Sequence, residues 1–481
     1  MNIAQLVFDT NKDNEDKHAF VDRKYLLTYR DLRICSHNFA DVLRTLGIKS
    51  GEKVLVSMTN TTEIPIVFFG CMIAGVTAIF VDRNDNDLEQ SILRFTRATI
   101  FNSRIVVDDQ GGIEYKIYNT VNPELPIEYY DWQADEESVM LCTSATTGLS
   151  KLACHHHGTL MHIAETHKNL YNINNSSIIM GTPKLSFGYG LAINMIMSPI
   201  NQATSVIYDR LVSGSTIFEL LQDCKVTHFF ANPTIYKLLL GTKAYSLSTS
   251  VQYLISSSEP LPDIIIKTFR MVHGLTILNA YGSSETITNC CVLDDKNLAS
   301  DGNIGRPLPG YEFKIVDDDM NECADGTPGV LMIKCDNTAR RYYNTDHAAC
   351  FKDGWYYTND VVYKDDNDYY HFINRKNQFV KIRSKWTSAS IIENLMLAMD
   401  EVDECTVIFD TNEYGLLEAV AYVVRKDPEI NQEQIRGKML AKQIESQNVP
   451  STIYFVSALP RSQRNKRIIN KDILDKAVIA T

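Results

Sequence analysis

Apolar residues along this chain recur in two alternating styles. Over 36–46 (SHNFADVLRTL) they fall three and four apart, the stripe of an amphipathic helix. After Gly47 and Gly51 the segment KVLVSM, 53–58, reads as a strand rich in β-branched and apolar residues. A helix is expected over 63–72 and a strand over 77–81. The same alternation returns with helices at 217–224 and 234–240 and strands at 226–230 and 251–255. The stretch 65–81 carries no charge, yet it falls short of the roughly 20 residues that cross a bilayer. Gly70 and Gly75 interrupt it, so it reads as a buried helix followed by a buried strand.

Helices alternating with β-rich runs predict an α/β chain with layered parallel or mixed sheets. From Asn303 to Lys334 the style changes to short strands (YEFKIVD, GVLMIK) between Gly and Pro turns, a β-rich subdomain over about 303–376. Beyond it, 391–399 is helical, CTVIFD and LEAVAYVV alternate like strands, and 432–447 is a charged helix. The expected architecture is a large N-terminal α/β domain, 1–376, and a small α+β C-terminal domain, 377–481.

Composition narrows the function classes. The 481 residues carry a formal net charge of -12, and an acidic excess repels nucleic acid and anionic membranes. The 11 cysteines form no CxxC pair, so they predict neither a zinc framework nor a disulfide scaffold but buried, reduced thiols of a cytoplasmic protein. Residues 1–16 lack the charged-then-apolar pattern of a signal peptide.

Four segments carry candidate chemistry. The first is Thr143-Ser144-Ala145-Thr146-Thr147-Gly148-Leu149-Ser150-Lys151, where hydroxyls, main-chain amides and a lysine can wrap phosphate oxygens. It lacks the order of a Walker A loop, and an ordinary Ser/Thr-rich turn is the competing reading. The second is Asn279-Ala280-Tyr281-Gly282-Ser283-Ser284-Glu285-Thr286, a loop after the strand-like LTIL. A tyrosine beside a glycine can face a nucleobase, and the carboxylate four residues on can hold Mg²⁺; a helix-capping loop is the alternative. The third joins Asp360, after Trp355-Tyr356-Tyr357-Thr358-Asn359, to Arg375; the pair can hold a ribose, or both can be surface turn residues. The fourth is the basic run Arg461, Arg464, Lys466 and Arg467, a solvated face or the source of one catalytic lysine.

In order and spacing these segments resemble the superfamily of adenylate-forming enzymes: acyl- and aryl-CoA ligases, peptide-synthetase adenylation domains and luciferases. The resemblance spans nearly the whole chain and includes Gly305-Arg306-Pro307-Leu308-Pro309-Gly310 and Ser257-Ser258-Glu259-Pro260-Leu261. Phe187-Gly188-Tyr189-Gly190-Leu191 and the run FFANPTIY from 229 to 236 look most like benzoate- and other aryl-CoA ligases.

The resemblance implies a role for each matched position. Thr143, Ser144, Thr146, Thr147, Gly148 and Lys151 form the phosphate loop. Ser257, Ser258, Glu259 and Tyr281 flank adenine, with Asn279 and Gly282 in the same nucleotide site. Ser284 and Glu285 approach the α-phosphate and Mg²⁺, and Asp360 and Arg375 hold the ribose. Lys466 bridges carboxylate and phosphate, and Asn377 is the hinge on which the small mobile domain turns. Phe187, Gly188, Tyr189, Ala231, Ser256 and Gly282 line the acid pocket. Lys466, Glu285 and Lys151 are thus the expected catalytic residues.

The chain departs from the family pattern in places. Ala145, Ser150 and Leu152 replace glycine, proline and glycine; Asn359 and Asn465 replace glycines, and Ser284 a threonine. Ser384 and Ser390 stand for a glycine and a glutamate after the hinge.

The implied activity is ATP-dependent activation of a small carboxylic acid, aryl or short acyl, to an acyl-adenylate. Transfer to the thiol of CoA, or to the phosphopantetheine of an acyl carrier protein, then follows. Two alternatives stay open: an adenylation domain activating an amino acid for a carrier protein or amine, and an inactive nucleotide-binding scaffold. No aspartate occurs from Thr182 to Ile200 to meet an α-ammonium, which favours an uncharged acid.

Overall fold

The computed structural model describes residues 1–22, 25–82, 89, 92, 99–102, 128–143, 151–208, 213–242, 246–293, 302–343, 350–376, 379–382, 385–412, 414–460 and 471–478. The chain divides into two compact units. The first is Met1–Lys314, Met332–Thr358 and Asp365–His371; the second is Ile315–Leu331, Asn359–Lys364 and Phe372–Thr481. Four strands, Glu312–Val316, Gly329–Lys334, Trp355–Lys364 and Tyr370–Arg375, change unit along their length.

The first unit holds two sheets. In one, Lys53–Met58 lies between the parallel strands Thr77–Asp82 and Thr99–Asn102. Glu137–Cys142 pairs parallel to 77–82 and antiparallel to Leu152–His156, on which Arg341–Tyr342 adds a short antiparallel edge. In the other sheet, Thr204–Val206, Ile178–Gly181, His228–Ala231, Tyr253–Ser256 and Ile277–Gly282 run parallel side by side. Asn289–Leu293 and Asn303–Pro307 continue it antiparallel.

Helices cover both faces of this second sheet, as parallel strands buried on two sides require. One face packs against Gly214–Asp223, Pro233–Gly241 and Asp263–His273 through Phe229, Ala231, Leu254 and Ile277. The other, through Phe230, Ile255, Leu278 and Ala280, joins a core cluster that includes the 188–200 stretch and the helices Ile3–Thr10, Tyr29–Thr45 and Glu63–Ala74, with Phe230 edge-on to Tyr171 and Tyr189. The uncharged 65–81 stretch is most of the buried 63–74 helix and the buried 77–82 strand; Gly75 ends the helix as expected, whereas Gly70 does not interrupt it but packs within it against Phe39. Among the described residues no helix is long and apolar enough to cross a membrane. All 11 cysteines are free and seven are buried.

In the second unit Val402–Thr411 and Leu417–Arg425 form a long antiparallel pair, with Thr452–Phe455 parallel to the latter. Helices Ala389–Leu397 and Gln432–Ala441 pack over it through Ile392, Met396, Ile435 and Met439. Buried Glu393 ties helix to sheet, accepting from the Val407 N–H at 2.8 Å and the Thr406 hydroxyl at 3.2 Å.

Three elements differ from the sequence expectation. The helix expected at 36–46 begins at Tyr29, because Thr28 and Asp31 form a reciprocal capping box ahead of it. The helix expected over 432–447 stops at Ala441: Gln443 turns left-handed (φ 57°), and 446–448 is a separate single turn. The strand before the second motif runs on through Asn279 to Gly282, so those residues lie on a strand rather than in a loop.

The capping box makes a direct test. Thr28→Ala removes the hydroxyl that accepts from the Asp31 N–H at 3.0 Å, and should cost about 1 kcal/mol. Urea unfolding would read this as a lower midpoint; an unchanged midpoint would mean the box contributes nothing.

Candidate active site

Parallel strands present their carboxyl ends, and the loops beyond them, on one edge of a sheet, where α/β proteins place their ligand crevices. In this chain Ala231, Ser256 and Asn279 lie in one row across three such ends, each the backbone partner of the next. The expected acid and nucleotide segments follow from these ends: Phe187–Tyr189 after 178–181, Ser257–Glu259 after 253–256, and Tyr281–Gly282 closing 277–282.

The fold then separates side chains that the sequence had grouped. Ala231 packs with the core on the 214–273 helix face, whereas Tyr189 packs with the opposite core, edge-on to Phe230 at 6.3 Å. Ser256 is fully buried and its hydroxyl makes no hydrogen bond. The Tyr189 hydroxyl is buried and makes no hydrogen bond of normal geometry, with the Asn289 side chain close by. Ser257 donates to Asn289 Oδ1 at 2.8 Å, and Asn279 donates to the Asn303 carbonyl at 2.8 Å. Ser258 holds a left-handed backbone (φ 78°), and Glu259 accepts from the Thr234 hydroxyl at 3.0 Å.

The 282–289 turn is packed backbone to backbone. A Cβ on Gly282 would stand 2.3 Å from the Thr288 carbonyl oxygen, and one on Gly188 2.6 Å from that of Ile287. Glycine at both positions is therefore steric necessity: it lets the aromatic segment and the acidic turn touch. Ser283 organises the turn, its N–H bonding Thr286 Oγ1 at 3.0 Å and its hydroxyl accepting from the Glu285 N–H at 3.2 Å.

Glu285 is only 7% exposed. Its Oε1 accepts a 2.6 Å hydrogen bond from the Tyr342 hydroxyl, and Lys151 Nζ lies 4.9 Å from the centroid of the same tyrosine ring. Burial first, then the charge of Glu285, pushes the Tyr342 phenol far above its ordinary range, so it stays a donor. The Thr143 N–H donates to the Lys151 carbonyl at 2.9 Å, closing the backbone on either side of 144–150. Ser144, Thr146, Thr147 and Gly148 lie outside the described residues, as do Asn377, Ser384 and Lys466.

In the second unit Asp360 sits on the 355–364 strand, 3% exposed, with Arg375 Nε 2.9 Å from its Oδ1. The pair thus lies on two strands; Asp360 is buried rather than a surface turn residue. Asn359 adopts φ 63°, the left-handed conformation that asparagine tolerates better than most residues, which accounts for a glycine substitute there. Ser390 donates to Asn374 Oδ1 at 3.0 Å.

Sequence reasoning missed three contributors: Tyr342, Asn289 and His155. The buried His155 donates from Nε2 to the Ser284 carbonyl at 2.8 Å and so steadies the acidic turn from beneath. Asn289 receives the Ser257 hydroxyl and donates to Tyr171. Nothing in their local sequence marks them, since each acts through a contact more than thirty residues away.

The first unit thus brings together strand-end loops, a buried carboxylate and a nearby lysine, and comparison with known proteins identifies the family of the chain. The AMP-binding enzyme family matches residues 7–343, and the AMP-binding enzyme C-terminal domain matches 391–466. The chain belongs to the AMP-binding enzyme family. It is 24% identical to the 3-hydroxybenzoate–CoA ligase of Aromatoleum sp. (strain CIB), over 94% of this chain and 92% of that protein. To the benzoate–CoA ligase of Thauera aromatica it is likewise 24% identical, over 94% and 91%. A crystal structure of an anthranilate CoA ligase with anthranoyl-AMP superimposes with a TM-score of 0.88 at 21% identity, covering 97% of this chain and 95% of that one. A benzoate CoA ligase from Burkholderia xenovorans LB400 gives 0.86 at 24% identity, over 97% and 98%.

Burial of neutral histidines in the first unit sets a pH dependence. Desolvation pushes His155 and His157 down to about 3 and His167 to about 4. The unfolded chain binds protons at these histidines below about pH 6.5, whereas the folded one does not. Stability is therefore intact above about 6.5 and falls as pH drops towards 3–4. At pH 5 each histidine should cost about 2 kcal/mol relative to pH 7. Urea unfolding at the two pH values would measure the loss, and equal midpoints would refute it.

Proposed function

We propose that this protein uses ATP to activate a carboxylic acid as an acyl-adenylate, releasing pyrophosphate, and then passes the acyl group to the thiol of CoA. The observation that carries the reading is the pairing of a buried carboxylate, Glu285, with Lys151 through one tyrosine, in a chain that matches named aryl-CoA ligases over more than nine-tenths of its length.

A carboxylate is a poor acyl donor because its leaving group would be oxide. Attack of a carboxylate oxygen on the α-phosphate of ATP forms the O–P bond, breaks the bond to pyrophosphate, and makes AMP the later leaving group. The barrier is largely repulsion between carboxylate and triphosphate. Fixed positive charge and N–H donors lower it where that charge gathers. Lys151, the hydroxyls of 143–147 and Lys466 are the groups assigned this work. Asp360 with Arg375 is assigned the ribose, and Ser257–Glu259 with Tyr281 the adenine.

Glu285 fits a magnesium ion. One oxygen is occupied by Tyr342, and the other has no hydrogen-bond partner among the described residues. A carboxylate oxygen is the hard donor that Mg²⁺ prefers. Bound there, the ion would neutralise phosphate charge as the acid approaches. In the second half-reaction the thiolate attacks the acyl carbon and AMP departs with the electron pair. CoA is the assigned acceptor; the phosphopantetheine of a carrier protein offers the same thiol.

The acid is assigned as aromatic. Tyr189 and Phe230 supply aromatic faces, the Tyr189 hydroxyl makes no hydrogen bond of normal geometry, and no aspartate between Thr182 and Ile200 awaits an ammonium. The relatives named above act on benzoate and hydroxybenzoate.

ATP–pyrophosphate exchange with a panel of benzoates, short acyl acids and amino acids, repeated with CoA, tests the proposal. Exchange with a benzoate and thioester formation with CoA are expected. Exchange driven only by an amino acid, or by no acid, would sink it. Lys466→Ala should abolish exchange while ATP binding by calorimetry stays within about twofold, since a residue acting in the transition state leaves ground-state binding intact. Full exchange in that variant would remove Lys466 from the mechanism.

A further inference from the structure

We infer that Tyr342 is a positioning residue that keeps Lys151 and Glu285 apart and aimed at the nucleotide, its hydroxyl fixing the carboxylate and its ring seating the ammonium. The inference rests on the adenylate-forming reading, in which both charges serve the triphosphate.

A flexible ammonium and a half-dry carboxylate within reach of each other attract strongly and tend to close into an ion pair. Closed, each would cancel the other and neither would serve a metal or a phosphate. Lys151 and Glu285 do not close. The carboxylate instead takes a 2.6 Å hydrogen bond from the phenol, and the ammonium rests 4.9 Å from the ring centroid of the same side chain. One residue thus satisfies an anion at its edge and a cation at its face, as the quadrupole of an aromatic ring allows.

The tyrosine is itself held on several sides. Its backbone pairs with Ala153, and the Tyr343 N–H donates to the Leu152 carbonyl at 2.9 Å, so the segment is bonded immediately beyond Lys151. Arg341 forks onto Glu137 at 2.7 and 2.9 Å. Phe351 packs edge-on against the Tyr342 ring at 5.0 Å and stacks on Tyr356 at 5.3 Å. The same stretch grips the acidic turn by its main chain: the Ala339 N–H donates to the Glu285 carbonyl at 2.7 Å, and Asn337 donates to the Thr286 carbonyl at 3.0 Å. A side chain so over-determined is built to set geometry.

Two variants separate the two jobs. Tyr342→Phe keeps the ring and removes the hydroxyl; Tyr342→Leu removes both. Mg²⁺ is titrated at fixed ATP in pyrophosphate exchange, and ATP binding is measured calorimetrically at the same Mg²⁺ concentrations. For Tyr342→Phe the half-saturating Mg²⁺ should rise about tenfold in both measurements, the scale of losing one hydrogen bond to a charged group. ATP affinity at saturating Mg²⁺ should stay within about twofold of the parent. Tyr342→Leu should show the same Mg²⁺ defect and bind ATP about tenfold more weakly even at saturating Mg²⁺, as Lys151 collapses onto Glu285. Wild-type Mg²⁺ dependence in Tyr342→Phe would overturn the inference, as would lower exchange with no movement of the Mg²⁺ titration. If Tyr342→Leu fails to fold, the phenylalanine variant decides. Absent exchange in the parent with every acid would defeat the adenylate-forming reading instead, and the calorimetric arm would still judge Tyr342.

Discussion

A buried carboxylate cannot be left to itself. Removing Glu285 from water is tolerated only if protein groups replace the lost hydration, and that requirement organises the site around it. Tyr342 supplies a hydroxyl to the side chain, Ala339 an N–H to the Glu285 carbonyl, and His155 an N–H to the carbonyl of Ser284 just before it. These donors come from two strands and the segment just before one of them, more than fifty residues from the turn in either direction. Tyr342 alone bonds the anion, while Ala339 and His155 satisfy the main-chain carbonyls of the turn that carries it, and a lysine lies over the same tyrosine.

The second determinant is backbone register. Parallel pairing of 178–181, 228–231, 253–256 and 277–282 aligns their carboxyl ends, so the functional segments leave the sheet along one edge. The pleat then sends Ala231 to one face while Tyr189 packs on the other. A pocket read as one group of residues along the sequence is therefore distributed over two sides of a sheet edge. Gly188 and Gly282 allow the facing segments to approach within distances that any side chain would block.

Much of the element order was legible in the sequence. Periods of three to four and of two mark the helices and strands of both units, and the uncharged 65–81 stretch resolves into helix and strand at Gly75. The misses have local physical causes. The Thr28–Asp31 capping box starts a helix seven residues ahead of its expected start, and the left-handed Gln443 ends another early. Asp360, left open between a ribose ligand and a surface turn residue, lies buried on a strand beside Arg375.

Of the candidate site, the sequence by itself determined the chemically conspicuous part: hydroxyl-rich and acidic segments with lysine, glutamate, aspartate and arginine at spacings that resemble a known superfamily. Those residues are visible because charge and glycine stand out against an apolar background. Only the tertiary structure decided what each of them touches. Tyr342, His155 and Asn289 look like ordinary residues in their own neighbourhoods, and their roles come from hydrogen bonds spanning 32 to 129 positions. Such bonds exist because a folded interior must satisfy every polar group it buries, and which partner is available depends on how the strands are ordered and registered. Local pattern specifies elements; the partner of a buried charge is specified only once the elements are packed.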